Sequence, residues 1–253
     1  MTDQIRATRE HAVLTIQLNR PERRNALTSS MIRSLGRTLR EAVADPDVHV
    51  LVLRGAGRDF CTGVDLDQFY QSVDAPEGSH REESERMADI FRALYSLRVP
   101  TVAVVQGRAL GVGATLAVSC DAVFASSAIQ LGFPDINYGF MPAFATAVVS
   151  RLIGRKAAFD LLGTGRCVKA DEALALGLVS RVIPDEGFMA VTGSSLRSLC
   201  GSAPELLLEF KRFFEKLDGK PIEEALELAA AANARARVSA AFRDAARQFL
   251  AMT

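Results

Sequence analysis

Two glycine-rich segments carry residue types that can bind a negatively charged oxygen through the backbone. The first covers residues 55–66, GAGRDFCTGVDL, and the second covers residues 106–114, QGRALGVGA. Each follows a predicted buried strand, so both are expected at one end of the sheet, where open α/β sheets bind ligands. Glycine allows backbone N–H groups to point inward, and the second segment places them at a helix N-terminus with its positive dipole. Together the two segments are candidates for holding an oxyanion.

The second segment has two other interpretations. A nucleotide site is weaker, because Gly111-x-Gly113-x-x-Leu116 lacks the third glycine of a dinucleotide fingerprint and the chain has no GxxxxGK[ST] motif. A tight strand-to-helix turn without any ligand is the simplest explanation of a single glycine-rich turn. The occurrence of two such turns, in register with further segments, favours a binding site.

The composition argues against several classes of partner. The 30 Lys and Arg residues balance the 30 Asp and Glu residues, which removes the whole-protein electrostatic basis for binding nucleic acid or an anionic membrane. The chain has no Trp and few aromatic residues, unlike a stacking platform for single-stranded nucleic acid. Its most apolar region, residues 99–120, is interrupted by polar and proline residues, and no apolar leader follows the N-terminus. We expect a soluble, cytoplasmic protein.

The spacing of cysteine and histidine predicts no metal site. The four cysteines form no CxxC pair, and the three histidines form no HExxH or HxH motif. The cysteines are Cys61, Cys120, Cys167 and Cys200. Widely spaced cysteines in apolar surroundings favour free thiols in a reducing compartment.

Hydrophobic periodicity predicts the elements that position the two segments. Strands are expected at residues 12–18, 48–53, 101–105, 122–125, 129–131 and 179–183, and helices at 28–44, 87–97, 114–119, 143–152, 156–162 and 171–176. The polar segment 72–85 is expected to be a mobile loop or a frayed helix start, and the least ordered region. After Pro184 only helices are predicted, at 189–199, 204–217 and 222–251, with a break near Val238. We therefore expect an α/β core over residues 1–195 and a helical C-terminal oligomerisation region over residues 196–253.

Several further segments occur in a specific order along the chain. They are LNRPERRNAL at 18–27, FCTGVDL at 60–66, QGRALGVG at 106–113, SCD at 119–121, GFPD at 132–135, YGFMP at 138–142, and the stretch from Thr164 to Val182. In this order they resemble the crotonase family of enoyl-CoA hydratases and isomerases over nearly the whole chain. The resemblance implies an α/β spiral of ββα units with a helical C-terminal appendage, an acyl-CoA substrate, and a homotrimer or a dimer of trimers.

The resemblance also implies roles for individual residues. The backbone N–H groups of Val64 and Val112 would form an oxyanion hole, which suits a thioester that passes through an enolate. Residues that would contact coenzyme A are Arg24, Ala26, Thr62, Gly63, Asp65 and Leu66, and residues that would line the acyl pocket are Phe69, Tyr70 and Phe140. Each of these roles has a structural alternative. Arg24 can simply belong to a charged surface loop, and Asp65 can be a structural aspartate of a turn. The rings can be ordinary aromatic packing.

The acid–base pair departs from the family pattern. Hydratases of this family carry two glutamates, and the matching positions here are Thr115 and Asp135. A threonine cannot act as a carboxylate base at neutral pH, so Thr115 is at most a group that positions water. Asp135 becomes the catalytic candidate, and burial beside a thioester is expected to raise its pKa. The alternative for Asp135 is a loop aspartate that caps the following turn.

These features favour an enoyl-CoA hydratase, which adds water to a 2-enoyl-CoA without a separate cofactor. One carboxylate is enough to move a double bond, so an enoyl-CoA delta-isomerase that shuttles a proton is an alternative. A non-catalytic acyl-CoA-binding relative is another, and hydrolysis, dehalogenation or decarboxylation of a thioester is a third class. Turnover separates the enzymes from the binder, and a gain in product mass separates hydratase from isomerase.

Overall fold

The computed structural model describes residues 3–252 and divides them into two compact units, with the division between Gly201 and Ser202. The first unit is α/β and the second is helical. The sequence-based boundary at residue 195 falls inside a helix that spans Phe188–Cys200. Within residues 3–252, no helix combines the length and the apolar character needed to cross a membrane.

Two sheets organise the first unit. The strands are β1 Ile5–Glu10, β2 Val13–Leu18, β3 Val50–Gly55, β4 Thr101–Val105, β5 Arg108–Leu110, β6 Ala122–Ser126, β7 Gln130–Gly132, β8 Cys167–Lys169 and β9 Arg181–Ile183. The larger sheet has the order β1-β2-β3-β4-β6-β9, and the smaller one has the order β5-β7-β8. In the larger sheet β1 and β2 pair antiparallel, whereas the other neighbours are parallel. The predicted strands β3 and β4 are buried on both faces, as their continuous apolar runs require.

Helices cover both faces of the larger sheet. Those of the first unit are α1 Ser29–Ala44, α2 Leu66–Gln71, α3 Glu77–Ser96, α4 Val112–Val118, α5 Ala143–Leu152, α6 Arg155–Thr164, α7 Ala170–Ala175 and α8 Phe188–Cys200. Those of the second unit are α9 Pro204–Leu217, α10 Ile222–Arg237 and α11 Ala240–Met252. Short 3₁₀ helices occur at Pro21–Arg23 and Pro134–Tyr138.

Alternate residues of the central strands point into two different cores. Leu51 and Leu53 of β3 belong to the larger core, which also contains α1, α3 and α4 residues. Val50 and Val52 belong to a smaller core with Phe124 and with Phe188 of α8. This alternation follows from the two-residue period of a strand, and it leaves the strand ends and their loops to form the site.

Some elements differ from the sequence-based expectation. The segment 72–85 is not a loop throughout, because α3 already begins at Glu77. The first half of α3 is polar and exposed, and the apolar stripe lies in its second half. Strand β1 was not predicted because its residues after Ile5 are exposed and polar. Strands β5 and β8 have three residues each, too few for a periodic signal.

Candidate active site

The two glycine-rich segments lie side by side. Cys61 donates its backbone N–H to the carbonyl of Arg108 at 3.0 Å, and its own carbonyl accepts from Leu110 N at 2.9 Å. A Cβ atom at Gly63 would lie 3.2 Å from the Leu110 carbonyl oxygen and 3.9 Å from the Cα atom of Gly111. Only glycine permits this close approach. Glycine also permits the backbone φ of +100° at residue 63. The residues that follow these two glycines are the predicted oxyanion donors.

Val64 is held by the loop between β2 and α1. Leu27 donates its N–H to the Gly63 carbonyl at 2.8 Å, and its own carbonyl accepts from Asp65 N at 2.9 Å. The Val64 N–H between these two bonds has no acceptor among residues 3–252. A preorganised and unpaired amide of this kind is what an oxyanion needs.

Val112 is the first residue of α4, and its N–H also has no acceptor in the described part of the chain. The helix begins its hydrogen bonding with Thr115 N, which donates to the Gly111 carbonyl at 3.0 Å. The first amides of a helix have no partner within the helix, so they remain available to a ligand. Both predicted donors are therefore unpaired.

The Asp135 carboxylate lies against Gly111, directly before the Val112 amide. A Cβ atom at Gly111 would be 3.2 Å and 3.3 Å from the two carboxylate oxygens of Asp135. Gly111 has a φ of +53°, which L side chains rarely adopt. Glycine at this position thus allows both the backbone turn and the approach of the carboxylate.

One oxygen of Asp135 has no partner. Its Oδ2 atom is buried and accepts no hydrogen bond from the described residues. Burial raises the pKa of this carboxyl, and a hydrogen bond from its own backbone N–H lowers the pKa by less. A buried acceptor without a donor is rare in proteins and indicates a ligand or a reactive role.

The turn that carries Asp135 is fixed on both sides. Phe133 before it is fully buried, and Pro134 begins the 3₁₀ helix, where its missing N–H costs nothing. After it, Phe140 N donates to the Asp135 carbonyl at 3.1 Å. The carboxylate position is therefore set by core packing and by backbone hydrogen bonds.

Asp65 has a very different environment. Its Oδ2 atom accepts from the Arg20 guanidinium at 2.5 Å, and its Oδ1 atom accepts from Gln68 N at 3.1 Å, which caps α2. Burial by itself raises the pKa of Asp65, but these two hydrogen bonds, with the charges of Arg20 and Arg23, outweigh it and lower the pKa. The carboxylate of Asp65 is thus fully engaged in holding the loop.

Asn25 is a site residue that the sequence analysis did not identify. It is completely buried and has a left-handed φ of +58°. Its amide donates to the carbonyls of Ala56 and Asp59 at 2.9 and 2.8 Å, and its Oδ1 atom accepts from Arg20 N at 2.9 Å. Asparagine tolerates this backbone conformation, which is the one available sequence signal. These bonds tie the loop before α1 to the first glycine-rich segment.

The thiol of Cys61 also links the loop before α1 to the first glycine-rich segment. Its Sγ atom donates to the Asn25 carbonyl at 3.2 Å. Burial raises the pKa of this thiol to about 12, although a hydrogen bond with the Gly63 backbone opposes the shift. Cys61 is consequently a neutral packing group and not a nucleophile.

Thr115 is buried behind the second segment. Its hydroxyl donates to the Gly111 carbonyl at 3.0 Å, so the hydroxyl proton is already used. The oxygen of Thr115 keeps a lone pair that can accept a hydrogen bond. This residue has neither the charge nor the free proton of an acid–base catalyst.

The residues predicted to contact coenzyme A lie on two adjacent loops. Arg24 is exposed, Ala26 and Thr62 are half-buried, and Leu66 lies at the start of α2. Thr62 donates its backbone N–H to the Arg24 carbonyl at 3.2 Å, which joins the two loops. The loops therefore form one continuous surface beside the Val64 amide.

The predicted acyl-pocket rings connect α2 with the turn after Asp135. The rings of Phe69 and Phe140 meet edge to face with centroids 5.2 Å apart, and the Tyr70 ring lies 5.8 Å from that of Phe69. The Tyr70 hydroxyl donates to the Tyr138 carbonyl at 3.4 Å. The rings thus connect α2, which follows the Val64 amide in the chain, with the turn that follows Asp135.

Comparison with known proteins gives a consistent result. The sequence profile of the family "Enoyl-CoA hydratase/isomerase" matches residues 8–250. The short-chain-enoyl-CoA hydratase of Clostridium acetobutylicum is 34% identical over 78% of this chain and 75% of its own. The crystal structure of an enoyl-CoA hydratase from Mycobacterium smegmatis has a TM-score of 0.91 at 28% identity, covering 99% of this chain and 97% of that one. The predicted α/β fold class with C-terminal helices is confirmed.

Proposed function

Because the chain belongs to the enoyl-CoA hydratase/isomerase family, we propose that it adds water to the double bond of a 2-enoyl-CoA. The observation that carries the proposal is the buried and unpartnered oxygen of Asp135 beside Gly111, next to two unpaired amides. A carboxylate that can move a proton and a pair of donors for an enolate oxygen are the two groups that this reaction needs.

The Val64 and Val112 amides stabilise negative charge on the thioester oxygen. The carbonyl oxygen of the substrate accepts both N–H groups, and the charge grows as the enolate forms. Removing one such donor costs about 2.7–4 kcal/mol of transition-state stabilisation in other enzymes. Because the donors are backbone groups, valine side chains at these positions are compatible with the role.

Asp135 moves the proton. As the water oxygen bonds to C3, the ionised carboxylate takes a proton from the water, and the electrons of the double bond move toward the thioester oxygen. The protonated Asp135 then returns that proton to C2, so one water is added in total. A raised pKa makes the carboxylate a stronger base than an ordinary aspartate and also makes its protonated form accessible.

The surrounding loops bind the rest of the substrate. We assign the coenzyme A contacts to the surface formed by Arg24, Ala26, Thr62, Gly63 and Leu66, and the acyl group to the rings of Phe69, Tyr70 and Phe140. Asp65 has its carboxylate, amide and carbonyl engaged, so its contribution is to hold Val64 in position. No cofactor is needed beyond the coenzyme A of the substrate, because the reaction consists of proton transfer and addition of water.

A second candidate is a delta-isomerase that uses the same carboxylate. Thr115 stands where the family pattern has one of two glutamates, and its proton is committed to the Gly111 carbonyl. Asp135 alone can remove a proton from one carbon and return it to another, which moves the double bond without water. The choice between the two reactions depends on whether Thr115 holds a water within reach of Asp135.

The test is incubation of trans-2- and trans-3-enoyl-CoA with the wild type and with Asp135→Asn, followed by chromatography and mass spectrometry. A product one water heavier, lost in the variant and retained in the control Asp171→Asn, supports the hydratase. An isomer of unchanged mass supports the isomerase. Coenzyme A binding without turnover of either substrate contradicts both and favours the non-catalytic binder.

We also propose a homotrimer or a dimer of trimers in the cytoplasm. Large apolar side chains are exposed in both units; Phe159 is 78% exposed, Phe210 is 60% exposed and Phe214 is 62% exposed. Such residues are typical of surfaces that a partner subunit covers. The cysteines of the described chain are free thiols, which suits a reducing compartment.

A further inference from the structure

A cavity of about 510 Å³, open to solvent along the exposed residues Arg181, Ser194 and Ser198, lies on the face of the larger sheet that carries the smaller core. It is formed between the beginnings of β6 and β9 and the C-terminal half of α8, and residues of the glycine-rich segments do not line it. Its volume falls within the range of small-molecule sites, about 300–1,000 Å³. The proposed hydratase chemistry makes no use of it.

The cationic group of this cavity is Arg181 of β9. Its guanidinium lies over the ring of Phe124, 5.2 Å from the centroid, and donates to the Ser195 hydroxyl at 2.7 Å. Within residues 3–252 it forms no ion pair with a carboxylate. The ring and the hydroxyl therefore hold the guanidinium in place, while most of its N–H donors stay unused.

Serine hydroxyls supply further donors. The Ser180 oxygen accepts from Val123 N at 3.0 Å, which leaves its proton available. The Ser195 oxygen accepts from Arg181, so its proton is available too, and the Ser198 hydroxyl has no hydrogen-bond partner in the described chain. Ser194 is different, because it donates to the Val191 carbonyl at 2.8 Å and offers a lone pair. The cavity is thus rich in donors, and among the described residues no Asp or Glu lines it.

We infer that this cavity binds a small molecule through a phosphate group. A fixed guanidinium with several hydroxyl donors matches a group that has three or more acceptor oxygens, whereas a carboxylate has only two. Phe124 and Leu199 provide an apolar wall for the part of the ligand beyond the phosphate. The inference does not depend on the proposed function.

The test is calorimetric titration of the full chain with inorganic phosphate at constant ionic strength. We expect saturable binding that is weakened about tenfold or more in Arg181→Gln, because a charged hydrogen-bond donor is lost. Ser195→Ala should weaken binding less. The matched control is Arg197→Gln, at an exposed arginine of α8 that does not line the cavity, and it should bind like the wild type.

Two further measurements identify the site and the ligand class. Phosphate can also bind the loop proposed for coenzyme A, so Arg24→Gln is titrated in parallel and should retain the phosphate signal. Loss of binding in Arg24→Gln but not in Arg181→Gln overturns the inference, as does the absence of saturable binding. Tighter binding of malonate than of phosphate would assign the cavity to dicarboxylates instead and would also overturn it.

Discussion

Asp65 and Asp135 are enclosed carboxylates on either side of the same candidate site, and their surroundings are opposite. Asp65 is only 6% exposed, and both of its oxygens accept hydrogen bonds, one of them within an ion pair with Arg20. The Oδ2 atom of Asp135 is buried and accepts no hydrogen bond from residues 3–252. Accordingly, the pKa of Asp65 is lowered and that of Asp135 is raised.

This difference separates a carboxylate that stabilises the fold from one that costs stability. A satisfied ion pair with a helix cap contributes to holding the loop, whereas a buried oxygen without a donor carries its full desolvation penalty. Proteins retain such a penalty where the group has a reaction to perform. Substitution of Asp135 should thus lower turnover without a loss of stability, whereas substitution of Asp65 should lower stability.

The largest expected effect is on turnover. Asp135→Asn should lower kcat for a trans-2-enoyl-CoA by about 10²–10⁴-fold, because the amide cannot take up and return a proton. Mass spectrometry of the product measures the rate, and calorimetry with coenzyme A should show nearly unchanged binding. If kcat is unaffected, the proton is moved by another group, and the contrast with Asp65 loses its functional meaning.

The next effect is on stability. Asp65→Asn should reduce the free energy of unfolding by about 3 kcal/mol, because it leaves Arg20 without its buried partner. Urea unfolding followed by circular dichroism measures the change. The matched control is Asp67→Asn, which breaks an exposed pair with Arg23 and should change stability by less than about 0.5 kcal/mol. Equal losses in the two variants would show that burial does not distinguish the pairs.

A smaller effect is expected from crowding the Asp135 carboxylate. Gly111→Ala places a methyl group against both carboxylate oxygens and strains a left-handed backbone, so kcat should fall about tenfold to hundredfold. Steady-state kinetics measures it. Gly78→Ala is the control, because no described atom outside the nearby α3 backbone lies within 4 Å of its added Cβ atom, and it should keep wild-type kinetics. Wild-type kinetics in Gly111→Ala would show that the carboxylate is free to move.

Acidification should affect activity before it affects the Asp65 contribution to stability. The reaction needs ionised Asp135, so kcat/KM falls as pH drops through its raised pKa. Asp65 has a lowered pKa, so its stabilisation is complete above the ordinary value of 3.8 and is lost only as pH falls through the lower folded-state value. Rate and urea-unfolding profiles over the same pH range test this order. Simultaneous loss of both would argue that Asp135 is not the titrating group.

The smallest effect is the stability of Asp135→Asn. The substitution keeps the shape of the side chain and removes a buried charge without a partner, so the variant should be as stable as the wild type or slightly more stable at neutral pH. Thermal unfolding measures it. A loss comparable to that of Asp65→Asn would mean that the carboxylate has a structural donor, and the two aspartates would no longer form a contrast.

Elements with a strong period were predictable from the sequence, and those fixed by distant partners were not. The stripe from Ile32 to Leu39 and the run from Val50 to Leu53 indicate α1 and β3 correctly. For residues 72–85 the sequence left open a loop or a frayed helix start, because the first turns of α3 are polar and exposed; the helix in fact begins at Glu77. The role of Asn25 was missed because its partners lie more than 30 residues away in the chain.

The same limit applies to the candidate site. The motif residues Val64, Val112 and Asp135 are expected from the resemblance, but the sequence alone does not indicate that the Asp135 carboxylate lies against Gly111. For Asp65, the local cap of α2 by its Oδ1 atom agrees with a turn aspartate, but the sequence does not indicate the ion pair of its Oδ2 atom with Arg20. The contact of Asp135 with Gly111 and that of Asp65 with Arg20 depend on tertiary packing, which local patterns do not encode.

The pairing of Leu27 with Val64 and of Cys61 with Ala109 has a consequence for the order of folding. Each bridge joins two segments that are dozens of residues apart in the sequence. Closing such long loops slows folding relative to the formation of local contacts. During synthesis, a chain that has not yet extended past residue 135 lacks the carboxylate that completes the arrangement. If Asp135 moves the proton as proposed, chains that end before residue 135 should be inactive, because they lack this carboxylate.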